Sequence, residues 1–328
     1  MPLLTRDQVQ PLLRCPRCRG GLMSREVGIE CASLDCGLAG RSFPQFAGQH
    51  VLVDFDRSVL TESELRAREG ASAIKRRGDG GAVGVLRRLS SPGTSAAGAH
   101  ARDLVARLLR SGDVSQVLVV GGGTRGGGTR PLYETPGIEV IAFDIYASSE
   151  TQFVADAHQI PLADESVQAV WVQAVLEHVL DPAQVVSEIR RVLPSGGLVY
   201  AETPFLQHVH EGPWDFTRFT ESGHRWLFRS FERLDSGVVA GPATVWVWAT
   251  EQLTRGLTRS FAAGKLARLA FSWVHLLDRA IPRGHAVDGA SCVFFYGTRA
   301  AATLAPFDAV RHYIGAQRPD SLLPPSSA

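Results

Sequence analysis

The feature that most constrains the fold is a glycine-rich turn that directly follows a run of apolar residues. Residues 117–120 have the sequence VLVV, and Gly121, Gly122 and Gly123 follow without a break. Consecutive apolar residues are typical of a strand that is buried on both faces of a parallel sheet. Glycine lets the backbone turn sharply and approach a ligand without a Cβ in the way. The pattern therefore predicts a ligand-binding turn at the carboxyl edge of a sheet.

Further apolar runs alternate with helical stretches along the chain. Residues 140–143, 167–175 and 198–201 have strand character, and residues 182–193 have the spacing of a helix. Strands that alternate with helices predict βαβ units. We therefore expect an α/β fold with a Rossmann-like, doubly wound, mostly parallel sheet.

Asp144 ends the second predicted strand, in the sequence EVIAFD. A carboxylate at this position suits the hydroxyl groups of a ribose. The sequence contains no GK[ST] of a phosphate-binding P-loop, so that class is excluded. A dinucleotide-binding dehydrogenase and other proteins with a ribose-bearing ligand remain open at this point.

The segment 156–197 narrows these classes of ribose-binding protein to one family. It contains Asp-Ala, Ile-Pro, an apolar strand, Leu-Glu-His, Asp-Pro and Arg-Val-Leu before a glycine pair, in that order. This order resembles the type 11 family of class I methyltransferases that depend on S-adenosylmethionine (SAM). Three features depart from the family pattern. Residues 194–196 are Pro-Ser-Gly, Gly122 replaces a frequent cysteine, and three additional glycines at 126–128 lengthen the first turn.

The resemblance implies a class I methyltransferase fold that binds SAM or its product S-adenosylhomocysteine (SAH). It implies that the glycine turn packs against the methionine part, that Asp144 holds the ribose, and that Asp156 and Ala157 meet the adenine edge. A second interpretation of Asp156, as a carboxylate that caps its own loop, stays open. The implied cofactor-binding residues are Gly121, Gly122, Gly123, Asp144, Ile145, Asp156, Ala157, Gln173 and Ala174.

The polar and aromatic segment 202–228 follows the fifth strand and resembles the family's acceptor-facing loop. A loop after a parallel strand lies at the active edge of the sheet. Methyl transfer needs an acceptor in line, and an oxygen or nitrogen acceptor can require a base. His210 and Asp215 are candidate bases, with His178 as a third. Structural roles are the alternatives, including an ion pair between Asp215 and Arg218.

Four of the five cysteines lie near the start of the chain, with the spacing C-x2-C-x12-C-x4-C. Four thiolates satisfy a tetrahedral Zn²⁺ ion and leave no open position, so the predicted zinc site is structural. The segment resembles a Trm112-type zinc ribbon, although that ribbon usually has two residues within its second pair. Four reduced thiols without a metal are the alternative. The predicted ligands are Cys15, Cys18, Cys31 and Cys36.

These patterns predict a chain of several parts. We expect a zinc ribbon at 1–56, a helix and flexible linker at 57–98, and the methyltransferase domain at 99–317. An ordered loop that covers the next domain is the alternative for the linker. A helical insertion at about 244–286 and a disordered tail at 318–328 complete the prediction. The insertion is expected to pack on the core or on a second copy of the chain, giving a homodimer. A helix at a membrane surface is the alternative.

Charge and composition bear on the partners. The net charge of +1 gives no global field that favours nucleic acid. No signal peptide is evident, and no apolar run approaches the roughly 18 residues of a membrane span, so we expect a cytoplasmic protein without a transmembrane segment. The leading hypothesis is an enzyme that methylates a small-molecule or sugar-like acceptor on oxygen. The alternatives are a ribosomal or transfer RNA methyltransferase that recognises RNA through the ribbon, and a non-catalytic SAM-binding or scaffold protein.

Overall fold

The structure is a computed structural model that describes residues 3–26, 28–72 and 95–319. Within these ranges the chain forms twelve strands. In chain order they are β1 (Leu22–Ser24), β2 (Ile29–Cys31), β3 (Ser42–Phe43), β4 (Gln45–Phe46), β5 (Gln49–Leu52), β6 (Ser115–Val120), β7 (Ile138–Asp144), β8 (Phe153–Ala155), β9 (Ala169–Gln173), β10 (Leu198–Pro204), β11 (Phe231–Ala240) and β12 (Cys292–Arg299).

The same ranges contain ten α-helices, together with short 3-10 helices. The helices are α1 (Arg6–Val9), α2 (Glu62–Ala67), α3 (Ser95–Leu108), α4 (Arg130–Glu134), α5 (Pro182–Val192), α6 (Glu221–Leu227), α7 (Pro242–Thr258), α8 (Phe261–Ala270), α9 (Arg283–Asp288) and α10 (Pro306–Arg311).

The large sheet has nine strands in the order β11-β12-β10-β9-β6-β7-β8-β5-β4. Strands β10, β9, β6, β7 and β8 run parallel to one another, whereas β12 is antiparallel to β10 and β11. The chain winds outward from β6 to β8 and then returns to β9 on the other side of β6. The winding direction thus reverses between β6 and β9, where the carboxyl ends of parallel strands leave a crevice. The predicted mostly parallel α/β sheet is confirmed.

Helices cover both faces of the parallel strands. In β6, Leu118 and Val120 pack in one core cluster with apolar side chains of α5, including Ile189. Val117 and Val119 point to the other face and pack in a second cluster with side chains of α3. Burial of both faces explains why this strand is apolar at four consecutive positions.

The cysteine-bearing segment is packed onto the large sheet. Strands β1, β2 and β3 form a small antiparallel sheet, but β5 pairs in parallel with β8. Arg19 of this segment forms an ion pair of 2.8 Å with Glu188 of α5. Side chains of the segment, among them Cys15, share a core cluster with Val120 and Phe143. Residues before and after position 56, the predicted end of the zinc ribbon, therefore share one hydrophobic core.

Two predicted segments lie partly outside the described residues, namely residues 73–94 of the linker and residues 320–328 of the tail. The helical insertion corresponds to α7, α8, the 3-10 helix Ser272–Arg279 and α9. Across the described ranges, none of the helices combines the length and apolar character needed to cross a bilayer.

Candidate active site

A cavity of about 440 Å³ opens at the carboxyl ends of the parallel strands, beside the reversal between β6 and β9. Its volume lies in the range of small-molecule sites. Three predicted site residues, Gly122, Gly123 and Asp215, are not part of its lining. The predicted residues that line it are Gly121, Asp144, Ile145, Asp156, Ala157, Gln173, Ala174, His178 and His210.

The glycine turn after β6 is sterically specified. Gly121 has φ +71°, and a Cβ there would lie 2.3 Å from Cγ2 of Val175. A Cβ on Gly123 would lie 2.6 Å from Oδ2 of Asp144, and one on Gly122 would lie 2.8 Å from a side chain in β7. Any side chain at these positions would displace its neighbours. Gly121 lines the cavity, whereas Gly122 and Gly123 pack against side chains of β7.

Asp144 is buried at the end of β7 and is linked to this turn. Its Oδ2 accepts a hydrogen bond of 2.9 Å from the Gly123 N–H, and its Oδ1 accepts one of 2.7 Å from the Ile145 N–H. A carboxylate can accept about four hydrogen bonds. The carboxylate is thus held in a fixed orientation at the cavity wall and can accept from ligand hydroxyls as well.

The additional glycines of the first turn close the loop over β9. Gly126 and Gly127 line the cavity, and a Cβ on Gly126 would lie 2.2 Å from Oε1 of Gln173. The Gln173 Nε2 donates to the Gly127 carbonyl at 3.3 Å and to Oε2 of Glu202 at 2.7 Å. Glu202 of β10 also lines the cavity, and burial raises the pKa of its carboxyl group. The sequence analysis did not identify Glu202.

Asp156 caps its own loop, which was the alternative interpretation. Its Oδ1 accepts from the His158 N–H at 2.9 Å and lies 2.6 Å from the His158 Nδ1. Its Oδ2 accepts from the Ser58 hydroxyl at 2.5 Å. The carboxylate therefore orders the loop whose next residue, Ala157, also lines the cavity.

An additional wall of the cavity comes from residues 58–68, here called the cover segment. Val59, Leu60, Leu65 and Arg68 of this segment line the same cavity as the glycine turn. Helix α2 begins within it, with the Thr61 hydroxyl accepting the N-terminal cap hydrogen bond. This helix is predicted from the sequence, but as part of the linker region at 57–98. No local pattern indicates that it lies against strands that follow much later in the chain.

A further part of the cavity lining consists of His178, His210, Glu211 and Trp214. The His178 Nδ1 lies 2.7 Å from the Trp214 carbonyl oxygen, so Nδ1 carries the proton in that hydrogen bond. The His210 Nδ1 lies 3.2 Å from Oδ2 of Asp215. Asp215 also accepts from the Arg218 Nη2 at 2.8 Å, so the predicted ion pair is present beside the histidine.

Glu177 belongs to the Leu-Glu-His turn of the predicted family pattern and lies close to both histidines. Its side chain is 1% exposed, and in the described parts of the chain neither carboxylate oxygen has a hydrogen-bond partner. Its Oε1 lies 3.6 Å from the His178 Nε2 and 3.9 Å from the His210 Nε2. Burial raises the pKa of Glu177 to about 8.

The four predicted zinc ligands converge. Their Sγ atoms all lie within 4.8 Å of one another, with 3.4 Å between Cys18 and Cys31 and 3.8 Å between Cys15 and Cys36. A tetrahedral ion with Zn–S bonds of about 2.3 Å separates its sulfurs by about 3.8 Å. The Leu38 N–H also points at the Cys36 Sγ, at 3.4 Å. The residues present therefore fit a zinc ion despite the longer second spacing.

Comparison with known proteins identifies one part of the chain. Residues 118–201 match the type 11 methyltransferase family model, described as a methyltransferase domain. The chain therefore contains a methyltransferase domain, and the large sheet is in keeping with the class I fold.

A curated relative and two solved structures are also similar. A transposon TN4556 protein of 37.1 kDa from Streptomyces fradiae, named as uncharacterized, is 48% identical over 50 residues, which is 15% of this chain and 14% of that protein. A chain of the complex that contains the Haloferax volcanii Trm112 methyltransferase activator is 18% identical, with a TM-score of 0.38 and coverages of 62% of this chain and 94% of that one. The Burkholderia thailandensis 1,6-didemethyltoxoflavin-N1-methyltransferase is 16% identical, with a TM-score of 0.36 and coverages of 61% and 78%.

Proposed function

We propose that this chain transfers the methyl group of SAM to an oxygen atom of a small-molecule or sugar-like acceptor. The observation that carries the proposal is that two chemically different groups of residues line one cavity. The glycine turn and Asp144 form the first group, here called the cofactor end, and His178, His210 and Trp214 form the second, here called the acceptor end.

The first end fits the cofactor. The glycine turn lets a ligand approach the backbone closely because its positions have no space for side chains. Asp144 presents a carboxylate in a fixed orientation. We propose that Asp144 holds the ribose, that Ala157 meets the adenine, and that Gln173 and Ala174 lie beside the methionine part. When bound, SAM supplies an electrophilic methyl group on a positively charged sulfur.

The second end fits an acceptor hydroxyl. Because SAH is a good leaving group, alignment of the acceptor oxygen with the bond between sulfur and the methyl carbon supplies most of the rate enhancement. The acceptor oxygen gains a bond to carbon and loses its proton, which the His210 Nε2 can accept while Asp215 orients the Nδ1 side. Burial lowers the pKa of His210, which keeps the imidazole neutral and able to take that proton.

The charge at the acceptor end supports a small acceptor over RNA. Glu211 and Asp215 lie around the two histidines, and Arg218 is paired with Asp215. A nucleic-acid site needs cations that face the phosphates, and acidic side chains oppose that contact. The acceptor end is thus poorly suited to a phosphate backbone.

A labelling experiment tests this function. The zinc-loaded protein is incubated with SAM labelled in its methyl group, in separate reactions with a deproteinised small-molecule and saccharide fraction and with total RNA. We expect label in the first fraction and a loss of about 100-fold in rate for His210→Ala, the usual size of a general-base effect. The matched control His208→Ala, in the same loop but outside the cavity lining, should keep its rate. Label in RNA would favour the RNA alternative, and no transfer despite SAH binding would favour a non-catalytic protein.

We also propose a structural Zn²⁺ ion on Cys15, Cys18, Cys31 and Cys36, which close the coordination shell. These ligands require reduced cysteines, which supports the expectation of a cytoplasmic protein.

A homodimer through the helical insertion is a further part of the proposal. Helices α7 and α8 and the 3-10 helix Ser272–Arg279 expose large apolar side chains, including Leu257 at 77% and Leu266 at 68%. Among the polar neighbours, Glu251 pairs with Lys265 at 2.8 Å and with Arg268 at 3.3 Å. Because Glu251 offsets one of these two positive charges, the surface is only weakly basic here and suits a second copy of the chain better than an anionic membrane.

Light scattering during gel filtration measures this association. We expect a dimer mass for the wild type and a monomer mass for Leu257→Glu combined with Leu266→Glu. The control Leu34→Glu changes an equally apolar side chain on the ribbon, 89% exposed, and should leave the dimer intact. A wild type that elutes as a monomer at all concentrations would rule out the dimer.

A further inference from the structure

The acceptor end of the cavity contains a second group of side chains with the composition of a metal site, separate from the four cysteines. Glu177, His178 and His210 each offer one ligand atom, and these three atoms lie within 4.8 Å of one another. Two of the three residues, His178 and His210, line the cavity, so the group is reachable by an ion.

We infer that Glu177, His178 and His210 bind a divalent first-row transition-metal cation. The Glu177 Oε1 lies 3.6 Å from the His178 Nε2 and 3.9 Å from the His210 Nε2. With metal–ligand bonds of about 2.1 Å, ligands of one ion are about 3.0 to 4.2 Å apart, depending on their angle at the ion. Both separations fall in this interval, and the two imidazole ligand atoms lie within 4.8 Å of each other, so small side-chain shifts would bring all three atoms to one ion.

The imidazole rings are oriented for this role. The His178 Nδ1 donates to the Trp214 carbonyl, which leaves the lone pair of Nε2 on the side of Glu177. The His210 Nδ1 faces Oδ2 of Asp215 at 3.2 Å, which leaves its Nε2 toward Glu177 as well. Metal-binding histidines usually donate their second nitrogen to a carbonyl or a carboxylate in this way.

A cation would also resolve an unfavourable arrangement around Glu177. This carboxyl group is buried and lacks hydrogen-bond partners in the described residues, which is costly for a polar group. The nearby guanidinium of Arg218 is paired with Asp215. Glu211 adds another carboxylate, with its Oε2 at 4.0 Å from the His178 Nε2. The site therefore has an excess of acidic groups over fixed cations.

The ligand set indicates the kind of metal. Two imidazoles and one carboxylate suit Mn²⁺, Fe²⁺, Co²⁺ or Zn²⁺ better than an all-oxygen cation such as Ca²⁺. Cation binding does not depend on the proposed methyl transfer, but its role does. If both are correct, the cation and the acceptor proton compete for the His210 Nε2, so a bound cation would slow the methyl transfer.

Binding of Mn²⁺ to the zinc-loaded protein tests the inference by electron paramagnetic resonance. Mn²⁺ is the probe because thiolates select zinc over manganese, so the ribbon does not compete for it. We expect one Mn²⁺ per chain. Glu177→Gln and, separately, His210→Ala should weaken its binding by at least about tenfold. His208→Ala, outside the group, should bind as the wild type does.

Calorimetry with SAH on the same samples separates the possible failures. SAH binding that survives in Glu177→Gln shows that the variant is folded. No Mn²⁺ binding by the wild type at low millimolar concentration would overturn the inference, as would equal binding by the wild type and both ligand variants. Mn²⁺ binding without any SAH binding would instead contradict the proposed function and leave the cation site supported.

Discussion

Replacing Asp144 by alanine is expected to weaken SAH binding by about 100-fold, equivalent to about 2.7 kcal/mol. Hydrogen bonds to a charged group contribute about 1.5 to 3 kcal/mol each, and a ribose offers two hydroxyls to one carboxylate. The same carboxylate accepts the N–H groups of Gly123 and Ile145 and so orders the glycine turn. Calorimetric titration of the variant with SAH measures the effect.

Two controls locate the cause of that loss. Asp144→Asn keeps the shape and one acceptor oxygen, so its loss should be intermediate. His210→Ala changes the acceptor end of the cavity and should alter SAH affinity by less than about threefold. Equal losses for Asp144→Ala and His210→Ala would mean that the cofactor lies elsewhere in the cavity.

Loss of zinc is expected to destabilise the whole chain rather than the ribbon alone. The cysteine side chains share a core cluster with strands β6 and β7, and β5 pairs with β8 beside the cavity. Structural zinc contributes about 10 to 16 kcal/mol of apparent binding free energy, comparable with the total stability of a domain. For Cys15→Ser combined with Cys31→Ser we expect a fall in Tm of at least about 10 °C.

Loss of zinc should also weaken binding of the cofactor. The cover segment follows β5 directly and lines the cavity, so disorder in the ribbon should also lower SAH affinity. Metal analysis, thermal unfolding and SAH titration are compared on one preparation. The control Cys292→Ser removes a half-buried thiol outside the ribbon and should retain its zinc. A double variant that lacks zinc but keeps the wild-type Tm would show that the metal has no structural role.

The parts of the fold that were predicted from sequence rest on local patterns. The strand at 117–120 is apolar throughout because both of its faces are covered, and this apolar run predicts a buried strand. The glycine turn is visible because its positions have no space for a Cβ. The zinc site is recognisable because its four cysteines occur as two closely spaced pairs in the sequence, which is common for the ligands of a structural zinc ion.

The rest depends on contacts between distant segments. The cover segment reaches the cavity through packing that brings Ser58 to Asp156, and no short-range pattern encodes that contact. Glu202 is an ordinary acidic residue in the sequence, and only its burial in the folded chain distinguishes it, whereas Glu177 is marked by the Leu-Glu-His motif but its burial is not. Asp156, which is expected to meet the adenine edge, lines the cavity, and its carboxylate also accepts hydrogen bonds from Ser58 and His158.

Calorimetric titration of the zinc-loaded wild-type protein with SAH tests most directly whether the cavity beside the glycine turn binds the SAM cofactor. We expect saturable binding of one SAH per chain, with a Kd in the micromolar range. The absence of binding at high micromolar SAH, in a sample shown to be folded and zinc-loaded, would contradict this role of the cavity.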